Sequence, residues 1–113
     1  MSANAQQPRA YDVTIVGDSM TVFISKQFDF GNLHQDWAHQ LTVTNPGPFA
    51  VVAVDLSVCG LVSSTFFAGL VQMHHVYTSK GQNTMRLIKP DPRMVRNMKM
   101  LRLDKLFEII PRE

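Results

Sequence analysis

The sequence predicts a single α/β domain, a mixed and mostly parallel β-sheet packed against helices in the order β-β-α-β-α-β-α-β. Three observations carry that expectation. Apolar residues alternate with polar ones early in the chain, which is the period of a strand. Three later segments repeat apolar residues at helical spacing. Strands linked through helices run parallel by right-handed crossover, whereas two strands linked by a short turn run antiparallel.

Taken in order, residues 1–10 are polar and are expected to form a frayed, disordered tail, with the domain spanning residues 11–113. Tyr11, Val13 and Ile15 alternate with polar residues, as in a half-buried strand. Gly17-Asp18-Ser19 signals a turn, and Met20 to Lys26 reads as the second strand of a hairpin. Leu33, Trp37 and Leu41 make a helical stripe that Asn45-Pro46-Gly47-Pro48 ends. Phe49 to Val54 is continuously apolar, as a strand covered on both faces would be.

Ser63 to Lys80 reads as a helix with Phe66, Leu70, Met73 and Tyr77 on one side and Gln72, His75 and Ser79 on the opposite one. Gly81 suits its C-terminal cap, and Thr84 to Ile88 is the fourth strand. Asp91-Pro92 is a helix start, an N-cap carboxylate followed by proline at the first helical position. Met94, Val95, Met98 and Leu101 are the expected buried stripe of that helix, with Arg93, Arg96, Lys99 and Arg102 outside it. Leu106 to Ile110 supplies a last strand.

Composition narrows the function classes. At 113 residues the chain suits one domain with one modest core, and 45% apolar against 18% charged residues is a globular balance. The longest apolar run, Phe49 to Val54, is far too short for a transmembrane helix, so no membrane span is expected. The N-terminal stretch lacks the apolar core of a secretory signal, and Cys59 has no second cysteine to pair with. A reduced, cytoplasmic protein is the expectation. Residues 1–60 carry two cations against five carboxylates, net −3, and residues 61–113 carry nine against four, net +5. The basic residues sit on one helix without interleaved aromatics, so a solvated face is read in preference to direct nucleic-acid binding.

Enzyme signals are weak. There is no GxxxxGK[ST] or GxGxxG loop. His74 and His75 are adjacent, and His34 and His39 are five apart, neither of which is a good chelating spacing, so no metal is expected. His75 is read as a surface residue and His74 as a boundary one. Cys59, within Val58-Cys59-Gly60-Leu61-Val62, reads as a buried inert thiol. No catalytic residue and no cofactor are assigned.

The informative segment is Phe49 to Leu70, where a buried strand leads through Asp55-Leu56-Ser57 and a short loop to Ser63-Ser64-Thr65 at a helix start. Hydroxyls there cap backbone N–H groups that the helix leaves unpaired. The same place is also open to a kinase, and a phosphate there meets free N–H groups and the positive end of the helix dipole. The modification adds about −1.5 to −2 charges at neutral pH, enough to expel a partner docked over the helix end.

In these residues the chain resembles the STAS domain, the family of bacterial anti-sigma factor antagonists. That family's pattern is a strand ending in Asp-Leu-Ser, a loop, then Asp-Ser-Ser-Gly-Leu opening a helix. Asp55-Leu56-Ser57 stands at the strand end, and Ser63-Ser64-Thr65-Phe66-Phe67 follows in the second place. Upstream, Lys26-Gln27-Phe28-Asp29 keeps only the aspartate of the family's Gly-Glu-Leu-Asp. Downstream, Lys89-Pro90-Asp91-Pro92 matches the proline-started third helix, and Leu103-Asp104-Lys105-Leu106-Phe107-Glu108-Ile109 matches the closing Leu-Asp-x-Leu-Phe segment. The resemblance spans about residues 11–110 and rests on order and spacing.

What the resemblance implies is a STAS-like binding module, a monomer or weak dimer, whose partner is an anti-sigma factor that is also a serine kinase. ATP belongs to the kinase. The phosphoacceptor implied is Ser64, with Ser63 and Thr65 as lesser candidates, and the partner-facing residues implied are Asp29, Ser63, Ser64, Phe66 and Phe67. Ser63 replaces the family's aspartate before the phosphoacceptor, and Phe66 replaces the glycine two residues after it. The latter either crowds a kinase or anchors an altered interface. Arg102 stands where a glycine is common before the last strand, and no segment matches the family's C-terminal helix. Two alternatives remain open, a non-phosphorylated scaffold of the same fold and an accessory subunit for small-molecule or lipid transport.

Overall fold

The computed structural model describes residues 11–26, 36–60, 64–79 and 85–111. Five strands form one sheet in chain order: β1 (Tyr11–Val16), β2 (Ser19–Ile24), β3 (Val51–Asp55), β4 (Met85–Ile88) and β5 (Phe107–Ile110). The first pair is antiparallel and the other three pairs are parallel. Between the parallel strands lie α1 (Trp37–Thr44), α2 (Ser64–Ser79) and α3 (Pro92–Met100), and a 3-10 turn, Asp104–Leu106, leads into β5.

The register explains the two-layer build. Met20, Val22, Val52, Val54, Met85 and Leu87 align across the parallel pairs and are fully buried. Aligned residues of parallel strands share a face, so these side chains floor a single core. Successive right-handed crossovers that step the same way along a sheet leave their helices on the same side of it. Leu41 of α1, Leu70 and Met73 of α2, and Met94 and Met98 of α3 all enter that one core. The opposite face carries exposed Asp12, Thr14, Arg86 and Glu108, the last two joined by an ion pair at 2.9 Å.

The hairpin, the three helices and the parallel strands follow the sequence expectation, with β2 ending at Ile24 rather than Lys26. Two readings change. The run Phe49 to Val54 is strand only from Val51 onward, and there Val52, Ala53 and Val54 are buried on both faces as expected. Ala53 lies on the face opposite the other two, between its sheet neighbours Thr21 and Arg86. Phe49 leaves the sheet and meets Tyr77 edge-on at 5.9 Å. Leu101 was expected in the buried stripe of α3. It is the C-cap and is 57% exposed, because the chain turns out of the helix there.

That turn has a definite form. The Arg102 N–H donates to the Lys99 carbonyl at 3.1 Å, and the Leu103 N–H reaches back to the Met98 carbonyl at 2.8 Å. This is a Schellman ending, which needs a left-handed residue just past the cap. Arg102 fills that place with φ of 61°. The glycine common there in the STAS pattern is the residue that such a backbone favours. At the other end of α3 the Asp91 carboxylate accepts from the Arg93 N–H at 2.8 Å, the cap expected from Asp91-Pro92. It also takes the Arg93 guanidinium through both oxygens, at 3.2 and 3.0 Å. That bond and the negative charge hold the guanidinium above its ordinary value.

Candidate functional site

The carboxyl edge of the parallel strands gathers the loops that the sequence singles out. β3 lies at the centre of the sheet and ends at Asp55. The Asp55 Oδ1 accepts the Ser57 N–H at 2.9 Å, so Asp-Leu-Ser is a side-chain-closed turn at the strand end. Leu56 is fully buried, and its N–H extends the sheet by donating to the Ile88 carbonyl at 2.8 Å. The Cys59 N–H then donates to the Leu56 carbonyl at 3.2 Å. The Cys59 thiol is buried, in keeping with an inert role. Val58, between these anchored residues, is 40% exposed, an apolar side chain turned outward at the mouth of the loop.

α2 begins at Ser64. Ser64 and Thr65 occupy its first turn by their backbone, where N–H groups have no partner within the helix and the dipole is positive. Ser63 and Asp29 lie outside the described residues. Phe66 and Phe67 close that first turn and are both buried. Phe66 stacks on Trp37 of α1 with ring centroids 5.3 Å apart and planes 8° from parallel. Expected as partner-facing residues, these two phenylalanines are packed inward within this chain. Their burial contributes about 1.5–3 kcal/mol each, and the stack on the order of 1 kcal/mol more. The place of the family's glycine is thus filled by a ring that ties α2 to α1.

The seam between α1 and α2 fixes the direction of the helix mouth. The Trp37 indole crowds Gly69, where an added Cβ would stand 2.5 Å from Cε2 and 2.7 Å from Cζ2. Only a residue without a side chain admits the indole so close. Further along, the fully buried Tyr77 donates its hydroxyl to the Asn45 carbonyl at 2.7 Å. Burial, and next Tyr11, push that hydroxyl up to about 12, so it stays a donor at any ordinary pH. Gly69 is a structural residue to which the sequence reading assigned no role, and Asn45, expected only to end α1, also anchors Tyr77. The signal for Gly69 was its place on the inward side of the helix beside Phe66 and Leu70.

The described histidines do not come together as a ligand set. His39 and His75 are exposed, and His74 is half-buried against Phe107 at 5.6 Å. Burial, and then His75, lower the His74 imidazole below its ordinary value. Among the described residues no three His, Cys, Asp or Glu side chains cluster as metal ligands, and no helix is long and apolar enough to cross a membrane. His34 lies outside the described residues.

No protein-family model matches the chain, and no curated protein matches it. Solved structures do. A candidate anti-sigma factor antagonist from Thermotoga maritima, TM1081, superposes with a TM-score of 0.74 at 19% identity over 90% of this chain and 86% of that one. An NMR structure of TM1081 gives 0.73 at 19% identity, over 93% and 83%. An anti-sigma-factor antagonist (STAS) domain protein from Planctomyces limnophilus gives 0.76 at 16% identity, over 91% of each chain. With its antiparallel first pair, three parallel pairs and three crossover helices in the same order, this chain has the STAS fold.

Proposed function

We propose that the protein is a regulatory binding module of the anti-sigma factor antagonist type, acting by reversible capture of a partner protein and not by catalysis. The partner is an anti-sigma factor that is also a serine kinase, and the docking edge is the carboxyl edge of the sheet. The switch is phosphorylation at Ser64, with Ser63 and Thr65 as secondary acceptors. One observation carries the reading: α2 emerges from the central strand with Ser64 in its first turn, behind the closed Asp55–Ser57 turn. A dianion there sits within the docking edge. The helix dipole offsets only on the order of 0.3–1 kcal/mol of its charge.

The test is incubation with the cognate kinase and ATP, then mapping of modified sites by mass spectrometry. Phosphate on Ser64, lost in Ser64→Ala, is the expected result. Ser64→Asp should weaken partner binding by about 2–5 kcal/mol, as an unpaired charge buried at an interface does. A second reading, an unswitched scaffold of the same fold, is favoured by Phe66 standing in the glycine place and packed on Trp37. It predicts an unmodified Ser64 and an Ser64→Asp variant that binds its partner as the parent chain does.

A further inference from the structure

The carboxyl end of α3 presents a surface that core packing does not explain. Met94 and Met98 face the core. At about 100° per residue, Lys99, Arg96, Met100 and Arg93 cover an arc of about 120° centred directly opposite them. On that crest Met100 is 76% exposed, beside Leu101 at 57% and Leu106 of the following turn at 37%. Residues 91–106 hold five cations and two carboxylates, net +3. Asp91 neutralises Arg93, but among the described residues no carboxylate pairs with Arg96, Lys99, Arg102 or Lys105. Exposed apolar side chains are therefore set among uncompensated cations.

We propose that this end of the domain is a contact surface for an anionic lipid bilayer. Charge complementarity names the sign of the occupant, and shape and size name its class. The surface is a helix end and a tight turn, which protrude. The apolar part is three side chains, well short of the roughly 800 Å² per partner that a stable protein interface buries, and it has no aromatic anchor. A bilayer asks for neither. Met100, Leu101 and Leu106 enter the acyl boundary while the flexible Arg and Lys stems spread their charges among phosphates. Because α3 runs back against the strands, this surface lies at the edge of the sheet opposite Ser64. A bilayer-bound domain keeps its helix mouth toward the aqueous side, so the inference does not rest on the proposed switch.

The experiment is sedimentation of the full chain with vesicles of equal parts phosphatidylglycerol and phosphatidylcholine, and with phosphatidylcholine alone, at low ionic strength. The chain should sediment with the anionic vesicles only and be released by salt. The double variants Arg96→Gln/Lys99→Gln and Met100→Ser/Leu101→Ser change exposed positions, and circular dichroism checks their fold. The first should lower partitioning by about thirtyfold, and the second should lower it while leaving the salt dependence intact. Equal binding to both vesicle types, binding to neither, or double variants that bind as the parent does would each overturn the proposal. So would a chain that ignores vesicles and binds polyglutamate, which would make the occupant an acidic protein.

Discussion

α2 and α3 both follow a parallel strand and both return to the next, yet they are held in different ways. α2 is clamped by aromatic contacts along its length: Phe66 on Trp37, Gly69 beneath the indole, and Tyr77 bonded to Asn45. α3 is held by two methionines and by its two ends, the Asp91 cap and the Schellman turn at Arg102. Its outer side is charged and partly apolar. The difference teaches that one helix serves as a fixed platform, its mouth aimed by distant contacts. The other is a short rod with a free outer surface, whose stability resides at its termini.

Breaking the α2 platform should have the largest effect. Gly69→Ala forces the Trp37 indole out of its seat. The expected loss is about 1–3 kcal/mol, as for other overpacked cores, read from the denaturant midpoint. If stability is unchanged, the indole is not the clamp. For α3 the corresponding break is Asp91→Ala, which removes the cap. A loss of about 1 kcal/mol is expected, with hydrogen exchange accelerating first in the opening turn of α3 and not in α2.

Arg102→Gly sharpens the contrast from the other side. It relieves a side chain from a left-handed backbone and should raise stability by about 0.5–1 kcal/mol, seen as a higher melting temperature. The smallest effect is a pH dependence in the half-buried part of α2. His74 is lowered by burial from an ordinary value of 6.5, so the unfolded chain takes up its proton first as pH falls. The neutral imidazole's contribution is complete above that value and is lost progressively below it. His74→Gln should flatten the stability profile below neutrality and leave it unchanged above.

Most of the element order was legible because each element has its own local period. Tyr11, Val13 and Ile15 alternate, Phe66 to Tyr77 repeats at helical spacing, and Asp91-Pro92 is a cap in two letters. The place of Ser64 was legible for the same reason, since a strand end and a helix start bracket it at fixed spacing. What was hidden depends on partners far along the chain. The helical stripe puts Phe66 on the side of Leu70 and Met73, but the ring it stacks on, Trp37 about thirty residues earlier, is not legible from its neighbours, and Phe67 is buried off that stripe. Leu101 fits an apolar stripe that continues, and nothing local says the helix stops one residue before it. The demand for a left-handed residue at Arg102 is equally invisible, because arginine does not signal it as glycine does.

The strands stand in the sheet in the order in which they are synthesised. Each new strand therefore finds its neighbour already made and docks beside it, with one helix folded in between. No later segment has to be threaded between earlier ones. Assembly of this domain can proceed as accretion during translation, from the hairpin outward, the closing strand pairing with the free edge of β4.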